Sequence, residues 1–152
     1  MAHKLVDKYF TKEDLAKISD AISENEKKTS GEIRISISEK RPVFSGKKSL
    51  RQLAEKEFFS LKMDKTRDKT GILIYLLLEE KSFYILGDSG INKIIGQNTW
   101  DEIRNRMQQA FKSGNFLSGT IDAVNEMGNI LAKHFPIHKD DTNELPNEIV
   151  VK

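Results

Sequence analysis

Residues 71–87 read GILIYLLLEEKSFYILG, two apolar runs joined by a short polar connection. The first run, residues 72–78, is apolar at every position, which is typical of a central strand covered on both faces. The connection at residues 79–82 is short, so the two runs are predicted to pair as an antiparallel hairpin. A strand buried on both faces needs helices on both sides of its sheet.

Helical patterns flank this hairpin on both sides. Thr11 and Asp14 predict a capping box ahead of apolar residues at helical spacing. The same spacing recurs in residues 49–63, 99–114 and 117–135, and Thr99 with Glu102 predicts a second capping box. These four segments provide enough helices to cover two faces of a sheet.

A further strand is predicted at residues 32–40, EIRISISEK, where isoleucines alternate strictly with polar residues. This alternation is typical of a half-buried strand. A helical segment separates it from the hairpin, so the first two strands should be parallel and joined by a right-handed crossover. The predicted fold is an α/β three-layer α/β/α sandwich with a central mixed sheet flanked by helices.

The composition favours one ordinary globular domain of 152 residues, with its core at about residues 8–136 and a polar tail at residues 137–152. The chain has no cysteine, which excludes disulfides, thiolate catalysis and iron–sulfur clusters. No secretory signal is visible, and no apolar run approaches the roughly 20 residues of a membrane-spanning helix. We therefore expect a cytoplasmic protein without a membrane span.

Charge is unevenly distributed along the chain. The formal net charge is only +2, yet residues 40–69 hold ten Lys or Arg against four Asp or Glu. Charge runs of this kind are usually solvated, so a nucleic-acid partner is not predicted, while a protein partner is an alternative.

The turn Gly87-Asp88-Ser89-Gly90 follows the second strand of the hairpin and allows two interpretations. Ligands of open α/β sheets bind beyond the carboxyl ends of strands, so Asp88 is a candidate ligand for a hard cation. Alternatively, Asp88 caps a short helix that begins near Ile91. Local sequence favours the cap.

Other acidic residues allow similar pairs of interpretations. Asp64, Thr66 and Asp68 match EF-hand positions one, three and five in type, but the required glycine and glutamate are missing, so a flexible charged loop is predicted. Glu32 is either an edge charge or a site carboxylate. The tail carries four acids that either bind a cation or remain solvated: Asp140, Asp141, Glu144 and Glu148. Leu145 and Pro146 lie among them and could dock the tail onto the core.

The sequence contains no pattern that predicts a histidine metal site, a nucleotide-binding loop or a familiar catalytic motif. His134 and His138 are four residues apart, but Pro136 prevents one continuous helix from presenting both. His3 stands alone. The chain contains no Walker loop, nucleophile elbow or H-E-x-x-H motif, so the catalytic residues are unknown.

Four blocks of the sequence together resemble the TPM-domain family, over roughly residues 8–149. The blocks are SGEIRISI (30–37), KTGILIYLLLEEKSFYILGDSGI (69–91), WDEIRNRMQQAFKSGNFLSGTIDAVNEMG (100–128) and DDTNELPNEI (140–149). The resemblance implies an α/β/α sandwich and an acidic cleft, with divalent-cation binding in some members and a phosphatase activity assigned within the family. The chain looks like a soluble, stand-alone branch.

The resemblance makes Asp88 the principal candidate for a calcium or magnesium ligand. Glu32, Asp68, Asp101 and Asp141 are the further candidate ligands. The expected function is divalent-cation binding in an acidic cleft, with metal-dependent phosphatase activity as an extension. The alternative is a non-enzymatic interaction module that assists assembly or repair of a protein complex through residues 40–69 and the acidic tail.

Overall fold

A mixed sheet of four strands lies at the centre of the computed structural model, which describes residues 4–138 and 143–152. The strands are β1 (Glu32–Ser38), β2 (Gly71–Leu77), β3 (Ser82–Gly87) and β4 (Val150–Val151), in the spatial order β3-β2-β1-β4. Strand β1 is parallel to β2 and β4, whereas β2 and β3 are antiparallel. The predicted parallel pair and the predicted hairpin are both confirmed.

The helices are α1 (Lys4–Asp7), α2 (Lys12–Glu26), α3 (Leu50–Ser60), α4 (Ser89–Asn92), α5 (Gln97–Lys112) and α6 (Phe116–His134). A single 3-10 turn, Met63–Lys65, follows α3. Helix α2 begins at the predicted capping box, where Thr11 Oγ1 accepts the Asp14 N–H at 3.0 Å and Asp14 Oδ2 accepts the Thr11 N–H at 2.9 Å.

The capping box predicted at Thr99 and Glu102 is wrong. Helix α5 begins earlier: Gly96 is its N-cap residue, and no side-chain hydrogen bond caps the helix there. The side-chain amide of Gln97, through Nε2, instead donates a 2.9 Å hydrogen bond to the Ile85 carbonyl. This tertiary bond attaches the helix start to β3, which the local sequence pattern does not reveal.

Two apolar cores lie on opposite faces of the sheet. On the face covered by α2, α5 and α6, the core includes Ile33, Ile35, Ile37, Ile72, Ile74 and Leu76. On the face covered by α3, it includes Leu73, Tyr75 and Leu77. We call these the α5 face and the α3 face. The three-layer arrangement is confirmed.

Strand β1 is more buried than its alternating pattern predicted. Ser36 and Ser38 are 0% and 4% exposed, so the expectation of a half-buried strand is wrong. Both hydroxyls are hydrogen-bonded: Ser36 donates to Glu57 of α3, and Ser38 accepts from the Tyr75 hydroxyl at 3.2 Å. Polar residues here satisfy buried partners rather than water.

The described part of the tail is attached to the sheet. Leu145 is 8% exposed and packs in the α3-face core, as its place among the acids suggested. Strand β4, Val150–Val151, pairs with Ser36 and Ile37, which the sequence did not predict. None of the helices in the described ranges is long and apolar enough to cross a membrane.

Candidate functional site

The acidic edge of the sheet is formed by the amino ends of β1 and β2 and the carboxyl end of β3. Glu32 is paired with Gly71, and the Gly71 carbonyl accepts the Asp88 N–H at 2.9 Å. Strand β2 therefore lies between Glu32 and Asp88, and two strand spacings put their Cα atoms about 10 Å apart. The GDSG turn does follow the carboxyl end of β3, but β3 is antiparallel. The carboxyl ends of the parallel strands point to the opposite edge.

Glu32 is a buried carboxylate, 4% exposed, on the α3 face. Its Oε1 atom accepts the Leu145 N–H at 2.9 Å and also the Glu144 N–H. These donors come from the docked tail, so Glu32 holds the segment after residue 142 against the amino end of β1. A charge-assisted bond to a backbone amide is among the stronger hydrogen bonds in proteins.

Glu26 is a second carboxylate at this edge, and the sequence analysis missed it. It is the last residue of α2, and its Oε2 atom accepts the Ile33 N–H at 2.8 Å. Its Oε1 atom is buried and makes no hydrogen bond to the described residues. Burial raises the pKa of Glu26 to about 8; the Ile33 bond opposes this rise, and the Glu32 charge adds to it. No local pattern separates Glu26 from the solvated acids around it.

A small cavity of about 60 Å³ joins these two carboxylates. Its lining residues are Glu26, Thr29, Ser30, Gly31, Glu32, Ile137 and Asn143. The volume exceeds the roughly 30 Å³ share of one water molecule, so it has room for an ion. Asp141, one of the predicted ligands, precedes Asn143 by two positions but falls outside the described residues.

Asp88 caps helix α4, and the capping interpretation is confirmed. Its Oδ1 atom accepts the Ser89 N–H at 2.7 Å, and its carbonyl accepts the Ile91 N–H at 3.0 Å. Its Oδ2 atom is buried without a hydrogen-bond partner in the described chain. A Cβ atom on Gly90 would collide with the carbonyl oxygens of Asp68 and Lys69, so this turn requires glycine.

Asp68 and Asp101 are not among the residues that line the Glu26–Glu32 cavity. Asp68 is exposed and forms a 2.9 Å ion pair with the neighbouring Arg67. Asp101 belongs to α5, on the face of the sheet opposite Glu32, and accepts a 3.0 Å bond from Gln97. Across residues 4–138 and 143–152, no three Asp, Glu, His or Cys side chains are grouped so as to hold a metal ion.

Arg34 faces a second cavity beside Glu32. The cavity has a volume of about 420 Å³ and is lined by Arg34, Leu61, Lys62, Lys65, Thr66, Glu144, Leu145 and Pro146. The Arg34 Nε atom is buried and has no hydrogen-bond partner in the part of the chain described. Burial lowers the pKa of Arg34, and the Glu57 and Glu148 carboxylates oppose that shift. Arg34 follows Glu32 by two strand positions, so both side chains lie on one face.

This arrangement, a mixed sheet between helix layers with a buried and a half-buried carboxylate at one edge, defines an α/β/α domain with a polar edge site. The chain belongs to the TPM-domain family, whose model matches residues 6–130. A search of curated proteins gives no match.

Solved structures agree with this assignment. The BA42 protein of the psychrophilic bacterium Bizionia argentinensis, solved by NMR, is 42% identical, with a TM-score of 0.84, over 95% of this chain and 96% of its own. The N-terminal domain of a P. gingivalis protein has 16% identity and a TM-score of 0.68, covering 86% of this chain and 82% of that one. The N-terminal domain of a Corynebacterium glutamicum protein has 14% identity and a TM-score of 0.56, covering 80% of this chain and 74% of that one. The two distant neighbours support the fold alone.

Proposed function

We propose that this TPM domain binds a divalent cation, calcium or magnesium, in the acidic cleft around Glu32. The observation that carries the proposal is the Glu26–Glu32 pair, in which Glu32 is buried, Glu26 is half-buried, and one buried oxygen of Glu26 has no hydrogen-bond partner in the described chain. Two carboxylates in one cavity repel each other when both are charged, and the raised pKa of Glu26 reflects burial first, with the Glu32 charge as a smaller contribution. A bound cation would offset both the repulsion between the carboxylates and the cost of burying the Glu26 charge.

The remaining ligands come from the tail. Asn143 lines the cavity and offers an amide oxygen, and Asp141 is two residues away in sequence. Carboxylate and amide oxygens are the donors that calcium and magnesium prefer. In this proposal the cation is held by Glu26, Glu32 and the segment around Asp141, while Asp88 mainly serves the α4 turn.

A phosphate-bearing ligand is the natural extension, because Arg34 faces its cavity next to Glu32. A guanidinium with an unsatisfied donor matches a phosphate oxygen well. A cation beside a phosphate ester would polarise it and activate water, which is the chemistry expected of a metal-dependent phosphatase. Arg34, Lys62 and Lys65 would hold the phosphate group.

The direct test is a titration of the metal-free protein with CaCl₂ and MgCl₂, followed by backbone amide NMR shifts. We expect the largest shifts at Glu26, Ile33 and residues 143–145. Glu32→Gln and Asp141→Asn should each weaken binding at least about tenfold, a loss of roughly 1.4 kcal/mol. Glu24→Gln, an exposed acid on the same helix, is the matched control and should bind like the wild type.

Two results would refute this site. The first is the absence of shifts at millimolar cation, the weak end of protein calcium sites. The second is a set of shifts confined to residues 87–90, which would move the site to Asp88. Hydrolysis of an aryl phosphate by wild type and by Arg34→Met tests the extension separately, since cation binding does not require it.

The second candidate function is a protein-interaction module, favoured by one exposed segment. Val43 and Phe44 are 79% and 99% exposed and stand among the basic residues of the 40–69 segment. Contiguous exposed apolar side chains rimmed by polar residues mark interaction sites. A pull-down in which Phe44→Ser and Lys47→Glu both retain the partners of the wild type would rule out this surface.

A further inference from the structure

We propose that a second site, at the opposite edge of the sheet, binds a small organic carboxylate with an apolar body. The site is a cavity of about 460 Å³, within the usual range for small-molecule pockets. Ser38, Glu39, Lys40 and Arg41 line it at the end of β1, and Lys152 lines it after β4.

The topology places this cavity where open α/β sheets bind ligands. Strands β1 and β4 are parallel, and Ser38 and Lys152 line the cavity at their carboxyl ends. Ligands of open α/β sheets bind beyond the carboxyl ends of the strands. This edge lies away from Glu32, which is at the amino end of β1.

The lining combines an apolar floor with a fixed hydroxyl group. Leu53, Pro42 and the ring of Tyr75 supply apolar surface. The Tyr75 hydroxyl donates to Ser38 Oγ at 3.2 Å, so its position is set by the strand beside it. Burial raises the pKa of Tyr75, which keeps this hydroxyl neutral. A neutral hydroxyl can accompany an anion without repelling it.

The acids that line the cavity are already engaged. Glu57 pairs with Lys152 at 2.7 Å, and Glu39 accepts the Val6 N–H at 2.8 Å. Lys40 and Lys56, in contrast, form no ion pair with any residue in the described ranges. The charges left for a ligand are therefore positive, and a carboxylate is the complementary group.

The loop above the cavity leaves apolar surface uncovered. Val43 lines the cavity yet is 79% exposed, and Phe44 beside it has a φ of 66°, a region that non-glycine residues rarely occupy. Arg41 holds the loop by donating to the Lys48 carbonyl at 2.7 Å. An apolar ligand body would cover Val43, which is why we assign an amphiphilic carboxylate rather than an inorganic ion.

This inference does not depend on the cation site. Ser38 follows Glu32 by six positions along β1, a distance of about 20 Å. Either site can therefore fail its test while the other stands.

The experiment uses a matched pair of probes, 4-phenylbutyrate and 4-phenylbutanol, titrated into the full chain under amide NMR. We expect shifts at residues 38–43, 53–60 and 75, with the carboxylate binding at least about fivefold more tightly than the alcohol. Lys56→Gln should reduce carboxylate affinity severalfold and leave the alcohol unchanged. Lys56 is exposed, so the variant should fold normally. Lys27→Gln, an exposed lysine of the C-cap of α2, is the control.

Each alternative result overturns the proposal. Equal affinity for the acid and the alcohol would show an apolar pocket without anion selectivity. Equal shifts from inorganic phosphate would show attraction by charge alone. No shifts in these segments, or carboxylate binding unaffected by both Lys56→Gln and Lys40→Gln, would show that the cavity does not bind such ligands.

Discussion

Glu32 at the amino end of β1 accepts a 2.9 Å hydrogen bond from the backbone N–H of Leu145, 113 residues further along the chain. This bond ties the acidic tail to the sheet and places Asn143 in the same cavity as Glu26. The candidate cation site therefore exists only when the tail is docked.

Replacing Glu32 should separate its structural role from its charge. Glu32→Ala removes the acceptor for two backbone amides and should lower the free energy of unfolding by about 1–3 kcal/mol. Glu32→Gln keeps an oxygen acceptor, so it should retain more of that stability while losing cation binding. Urea unfolding and amide exchange of Leu145 measure the difference. Equal stability for both variants would mean that the tail is held by its apolar contacts alone.

Glu26 should make stability depend on pH. Its pKa is about 8 in the folded protein and near 4.5 when unfolded, so the folded state binds more protons between these values. The free energy of unfolding should therefore fall as pH rises from about 4.5 to 8, by at most about 1.4 kcal/mol per pH unit.

Urea unfolding at several pH values across this window checks the dependence. Glu26→Gln should remove the contribution of this group, because an amide does not titrate. Glu24→Gln should leave it in place. A slope that persists in Glu26→Gln would assign the dependence to another group.

Gly90 should tolerate no side chain. A methyl group there meets the carbonyl oxygens of Asp68 and Lys69, which are backbone atoms that cannot rotate away. We expect Gly90→Ala to lower the free energy of unfolding by about 1–3 kcal/mol. Ser89→Ala, at an exposed position of the same turn, should change it by less than about 0.5 kcal/mol. If both variants unfold alike, the packing of this turn is looser than its geometry indicates.

Asp88 should behave as a cap. Asp88→Asn keeps a side-chain oxygen for the Ser89 N–H, so its free energy of unfolding should be close to that of the wild type. Asp88→Ala should lower the free energy of unfolding by about 0.5–2 kcal/mol. Calcium titration of Asp88→Asn supplies the second measurement. A large loss of cation affinity in this variant would return Asp88 to the ligand set.

Arg34 should contribute little to folding. Its Nε atom is buried without a hydrogen-bond partner in the described residues, and leaving a donor of a charged group unsatisfied is unfavourable. Arg34→Met should therefore unfold at the same or a higher urea concentration. In a phosphate titration, we expect amide shifts near Thr66 in the wild type and none in Arg34→Met. A clear loss of stability would show instead that Arg34 neutralises Glu57 and Glu148.

The sequence by itself determined the layers of this protein. The apolar run at residues 72–78 required cover on both faces, and the short connection after it required an antiparallel partner. The helix caps at Thr11 and at Asp88 could also be predicted from the sequence, because a cap depends on residues only a few positions apart. Repeating apolar patterns and short-range hydrogen bonds are local, so they can be predicted from sequence.

Only the tertiary structure decided which charges meet. It joined Glu32 to Glu26 and to the tail, and it placed Asp101 on the other face of the sheet. In the folded protein, Ser36 of β1 is buried against Glu57, and Ser38 is buried against Tyr75. The physical reason is that burial and charge pairing depend on packing between segments far apart in the chain. Acids that look alike in sequence therefore acquire different environments only once the sheet and the tail assemble.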